Sequence, residues 1–164
     1  MSKGWLIAHY VWTEGGNLAA GICCALAFWL GGSAERRGAG ILLGGWLLTL
    51  LVVLLHIERI YGVHAYIMAI DTAVLVGFTA LSLWSRKPWT IFLAAFQLND
   101  VMTHVVELMF GMDTYTYVTL IGFWGGWALL PPLMWGTWQN ARQARPIKPS
   151  APAGSAGSQA GPPR

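Results

Sequence analysis

One apolar stretch of the chain contains residues that do not belong in hydrocarbon. It reads Gln97-Leu98-Asn99-Asp100-Val101-Met102-Thr103-His104-Val105-Val106-Glu107. At about 100° per residue, Asp100, His104 and Glu107 fall on one helical face, flanked by Gln97 and Thr103. Leu98, Met102, Val105 and Met109 occupy the opposite face. An ionisable side chain at the centre of a bilayer costs at least about 2.5 kcal/mol, so such groups turn inward and find partners. Asp71, in another apolar stretch, is the natural partner, and His56, Glu58, Arg59 and His64 lie near the ends of neighbouring stretches.

These residue types support four kinds of chemistry. A buried polar network, with Arg59 or a protonated His neutralising the acids, would fix which helices pack together. A proton relay or ion site would use the same carboxylates and imidazole, which exchange protons readily. A divalent metal, Zn, Fe or Mn, would suit Asp71, His104 and Glu107, with His56 or water in a fourth position, and would activate water on a hydrophobic substrate. Haem would take axial ligands from His56, His64 or His104, although no paired-His bundle pattern is present. The spacing Asp-x3-His-x2-Glu is neither HExxH nor the repeated Glu-x-x-His of di-iron bundles. No phosphate loop, nucleophile elbow or nucleotide fingerprint occurs, and no organic cofactor is expected.

The elements that must position these residues follow from hydropathy. The chain has 164 residues, 55% hydrophobic and 10% charged, whereas soluble domains carry about 25% charged residues. The apolar runs are close to the roughly 20 residues that cross a bilayer as helix, and they lack the alternation of barrel strands. The expectation is an all-α integral membrane bundle of five transmembrane helices at 15–34, 38–55, 64–85, 89–110 and 115–138, or four if the first segment is not a full span. Residues 1–14 form an interfacial segment with His9 between Trp5 and Trp12, and carry no signal-peptide pattern. Residues 139–164 are a Pro/Ala/Gly-rich tail too polar to fold. Cys23 and Cys24 are adjacent in an apolar run and read as packing residues.

Orientation follows from Lys and Arg. Arg36, Arg37, Arg86, Lys87, Arg142, Arg145, Lys148 and Arg164 share one side of an alternating five-span chain, leaving Lys3 and Arg59 on the other. This predicts the N-terminus outside and the C-terminus in the cytoplasm. Trp84, Trp89, Trp135 and Trp138 form the expected inner aromatic belt, and Tyr10, Tyr61, Tyr66, Tyr115 and Tyr117 the outer one. The charge of +3 reads as a topology signal rather than a nucleic-acid surface. At about 1.5 Å per residue, Asp100 comes near mid-membrane, and Asp71 reaches the level of His104 in the outer half. Gly40-x3-Gly44 and Gly122-x3-Gly126 signal close helix packing within the bundle, and Pro131-Pro132 should kink the fifth span.

From about Gly38 to Trp138 the chain resembles a group of small multi-pass membrane proteins, common in alphaproteobacteria, that carry no assigned activity. The likeness lies in Ala69-Ile70-Asp71, the Ser85-Arg86-Lys87-Pro88-Trp89 turn, Phe96-Gln97 with Thr103-His104, and Gly136-Thr137-Trp138. It implies a bacterial inner-membrane location. Asn99-Asp100 and Glu107 are more polar than that group leads one to expect. With short loops and no soluble domain, the leading expectation is a non-enzymatic accessory or assembly subunit that contacts lipid and other membrane subunits. A membrane-embedded metal-dependent enzyme, or a proton- or ion-conducting protein, is the alternative use of the same cluster.

Overall fold

The computed structural model describes residues 3–55 and 63–144, except the side chains of residues 3–14, 53, 63 and 64. His56, Glu58, Arg59 and the segment 145–164 lie outside the described residues, as does the side chain of His64. The described elements are helical, with no strand among them: α1 (Lys3–Leu30), α2 (Ser33–Leu54), α3 (Val63–Ser85), α4 (Pro88–Phe110), α5 (Thr114–Trp124), a 3-10 turn (Trp127–Leu129) and α6 (Leu130–Gln143). Three stretches are long and apolar enough to cross a membrane: Ala65–Ser85, Pro88–Phe110 and the broken helix Thr114–Gln143. The apolar part of α1, Gly15–Leu30, is shorter. Residues 3–14, expected as a separate interfacial segment, are helical and continuous with α1.

The helices close into a ring. α1 packs between α2 and α6, α2 against α3, and α3 most extensively against α4, which also meets α5 and α6. Large apolar side chains such as Trp29, Leu83, Leu108 and Phe110 point outward. A largely apolar exterior is the surface that lipid solvates.

The polar sequence Ala34-Glu35-Arg36-Arg37 does not form the first loop. The turn is Gly31-Gly32, and the charged residues make the first turn of α2. Free backbone N–H groups at a helix start need acceptors, and the Glu35 carboxylate takes the Gly32 N–H at 3.0 Å. Its other oxygen receives Lys87 Nζ at 2.7 Å from the α3–α4 turn, although Glu35 itself is fully buried. Asn140 of α6 donates its amide to the Leu30 carbonyl at 3.1 Å, and Arg36 Nε donates to the Gly31 carbonyl at 3.1 Å. The α1–α2 turn, the α3–α4 turn and α6 are thereby tied at one end of the bundle.

Trp89 is not in the aromatic belt. It is 1% exposed, seated where Gly38 and Gly136 leave room for its ring, and a Cβ on Gly136 would come within 2.5 Å of it. The Gly40-x3-Gly44 pair does not pack inside the bundle, because a side chain at either position would meet open space. The close approach in α2 is one residue further on, at Gly45 against Val74.

Candidate functional site

α4 is organised as a single buried stripe that changes character halfway. Trp89, Thr90 and Leu93 fill its first part, and Gln97, Asp100, Thr103 and His104 continue it. Pro88 starts the helix, where a missing N–H is harmless, and Gly111 ends it with φ 68° while its N–H bonds the Glu107 carbonyl. With about 1.5 Å rise per residue, Asp100 sits near the middle of α4. The outward face carries Leu98, Met102 and Met109.

His104 is held from both ring nitrogens. Nε2 lies 2.9 Å from Asp71 Oδ2 on α3, and Nδ1 lies 2.7 Å from the Tyr117 hydroxyl on α5. One assignment satisfies both contacts: the tyrosine O–H donates to Nδ1, and Nε2–H donates to the Asp71 carboxylate. Gln97 donates its amide to Asp100 Oδ2 at 3.0 Å and approaches the Asp71 backbone carbonyl at 3.4 Å. Asp71, Asp100 and His104 each present a ligand-type atom within 4.8 Å of the others. Asp100 is 1% exposed, and its Oδ1 has no hydrogen-bond partner among the described residues.

The wall facing Asp100 is an interruption in the last span. Between α5 and the 3-10 turn lie Gly125 and Gly126, and a Cβ on Gly125 would fall 2.6 Å from Asp100 Oδ2. The kink expected at Pro131-Pro132 is displaced toward the N-terminus for a physical reason. Each proline lacks an N–H and crowds the turn before it, so both prolines fit the first turn of α6 and the break falls upstream. Broken helices beside buried ionisable groups recur in membrane proteins that bind ions at mid-depth.

The structure brings together Asp71, Asp100 and His104. Glu107, one turn further along α4, is partly buried and is not in the group. Of the metal set Asp71, His104, Glu107 and His56, the described residues therefore place only Asp71 and His104 together, with Asp100 as the third donor. Donor chemistry fits a divalent ion: a nitrogen and two carboxylates, with Tyr117 orienting the imidazole from its far side.

Tyr117 was the residue that sequence reasoning misplaced. It was expected in the outer aromatic belt, yet it is 4% exposed while Tyr115 is 67% exposed. The available signal was Asp113, whose carboxylate accepts the Thr116 N–H at 3.0 Å and so sets the register of α5. Comparison with protein families, curated proteins and solved structures finds no match to this chain.

Proposed function

We propose that this chain is a five-span protein of a bacterial inner membrane, with its N-terminus outside and its C-terminus cytoplasmic, whose Asp71–Asp100–His104–Tyr117 cluster binds and passes protons. The basic asymmetry of the turns supports the orientation, and the three long apolar stretches support membrane insertion. The observation that carries the functional reading is the gathering of Asp71, Asp100 and His104, with ligand-type atoms within 4.8 Å of one another and Asp100 Oδ1 without a donor among the described residues. A network serving packing alone gains by satisfying every buried oxygen, because an unpaired one costs about 1–3 kcal/mol. Leaving this acceptor open, in a site with an excess of acids over bases, provides a place for a proton to be held.

The route is short. Asp71, 18% exposed at its side chain, takes a proton from the aqueous side, while His104 steadies the carboxylate through Nε2. The proton then moves across the cluster to Asp100 Oδ1, beside the break at Gly125. Purified protein in liposomes should pass protons down a gradient, followed with an internal pH-sensitive dye. Asp100→Asn, similar in shape but not ionisable, should abolish the flux, and flux equal to wild type would overturn the reading. Metal content of untagged protein separates the metalloenzyme reading. Near one equivalent of Zn, Fe or Mn that disappears in Asp71→Asn would favour it.

A second reading, an accessory subunit of a larger membrane complex, draws on a separate observation. Gly40 and Gly44 present an open small-residue face on α2, and the described connections between long helices are only two or three residues. Stoichiometric partners retained in mild detergent would support it, and repeated isolation as a lone chain would count against it.

A further inference from the structure

Away from the polar cluster, a groove of about 270 Å³ runs between α2 and α3. Its walls are Ile41, Gly77, Ala80 and Leu81, and its mouth is formed by Arg37 and Trp84. Gly77 lets Ile41 pack close, since a Cβ there would fall 3.2 Å from it, and Ala80 is a small, exposed side chain on the wall. The Arg37 guanidinium carbon lies over the Trp84 ring, 3.9 Å from its centroid. That stacking occupies a face of the guanidinium and leaves its N–H edges available, since Arg37 has no carboxylate partner among the described residues.

The same end of the bundle holds Arg36, Arg86 and Lys87, while Glu35 is buried and already paired with Lys87. A counter-ion for Arg37 must therefore come from outside the described chain. It must be an anion reachable at the end of a membrane helix, directly above an apolar channel.

We propose that the α2–α3 groove binds an anionic phospholipid, with its phosphate on Arg37 and an acyl chain along Ile41, Gly77, Ala80 and Leu81. Arg37 supplies bidentate N–H donors to the phosphate, Trp84 holds the guanidinium at the headgroup level, and the small side chain of Ala80 admits the chain. The proposal requires the bundle to lie in a bilayer and is independent of the proton site and of which end faces the cytoplasm.

The test is native mass spectrometry of the full chain in a non-ionic detergent, titrated with phosphatidylglycerol and with phosphatidylcholine of the same acyl composition. Wild type should retain phosphatidylglycerol about five- to tenfold better, the scale of a single basic contact at the membrane surface. Arg37→Gln should remove the preference and Arg37→Lys should keep part of it. Ala80→Phe, which fills the groove, should weaken both lipids. Arg142→Gln alters the other arginine stacked on a tryptophan, over Trp138 at 3.7 Å but outside the groove, and should leave the preference intact. All variants are first required to elute as a single species with unchanged helix content, and Arg37→Lys guards against a folding defect in Arg37→Gln. Equal retention of the two lipids by wild type, a preference that survives Arg37→Gln, or undiminished retention in Ala80→Phe would overturn the proposal. Displacement of the lipid by free glycerol phosphate would overturn the acyl-chain part of the assignment.

Discussion

Two polar clusters share this bundle and are built on opposite plans. At the Gly31-Gly32 end, Glu35 accepts the Gly32 N–H on one oxygen and Lys87 on the other, a local cap and a contact between segments distant in sequence. At the Asp100 level, His104 is engaged on both nitrogens, yet Asp100 Oδ1 has no donor among the described residues. The first cluster balances a buried charge with a partner that still reaches water, since the Lys87 side chain is 42% exposed. The second collects two acids around one imidazole beside a helix break. A closed ion pair stabilises one arrangement, whereas an open acid in a packed bundle is a place where something can come and go.

The comparison breaks most visibly at Lys87. Lys87→Met leaves the Glu35 carboxylate buried without a counter-charge and should destabilise the fold by about 3–5 kcal/mol in detergent unfolding titrations. The double change Glu35→Leu with Lys87→Met should recover most of that loss, because no buried charge remains. A single-variant loss near zero would mean that the junction is not a stabilising pair.

A smaller effect is expected where the open cluster borrows structure. Tyr117→Phe removes the hydroxyl that orients His104 and should cost about 0.5–1.5 kcal/mol by the same titrations. It should also slow proton flux in liposomes without abolishing it, since Asp71 and Asp100 remain. Complete loss of flux would make the tyrosine part of the route rather than a support for the imidazole.

Asp100→Asn sharpens the contrast further, because its expected change in stability is within about 1 kcal/mol and is neutral or favourable. The asparagine oxygen still accepts from Gln97, and removal of a buried acid offsets the cost of an amide that finds no acceptor among the described residues. A loss comparable to that of Lys87→Met would place Asp100 in the closed class and remove the argument for proton exchange.

The smallest effect belongs to the exposed turn that starts α5. The Thr116 hydroxyl and backbone N–H hold the Asp113 carboxyl below its usual range. The folded value is therefore lower than the unfolded one, and the contribution is fully present above the unfolded carboxylate range. It is lost as pH falls through the folded value. Hydrogen exchange at the Thr116 amide should accelerate in that acidic window, with no corresponding change at amides in the middle of α4. Simultaneous loosening of both would show that acid acts on the bundle as a whole.

Much of the architecture was legible because it depends on one-dimensional quantities. Apolar runs and helix lengths set the long helical stretches, and Ser85-Arg86-Lys87-Pro88 marks the α3–α4 turn, where proline begins the new helix. Counting along helices put Asp71 and His104 at one level, and the structure places them 2.9 Å apart. The burial of Trp89 could not be counted in this way, because its slot is made by glycines from α2 and α6, far apart in the chain.

By itself, then, the sequence determined a helical, lipid-compatible chain and the helical face on which Asp100 and His104 stand, since periodicity and transfer free energy act locally. Tertiary structure decided which of those groups meet and which stay unpaired. Glu35 became a buried cap rather than a loop residue because Lys87 reaches it from another turn. Tyr117 left the aromatic belt because the register of α5 turns it toward His104. Asp100 Oδ1 has no donor among the described residues because the break at Gly125-Gly126 faces the carboxylate with no side chain, a result that depends on two helices meeting at one depth.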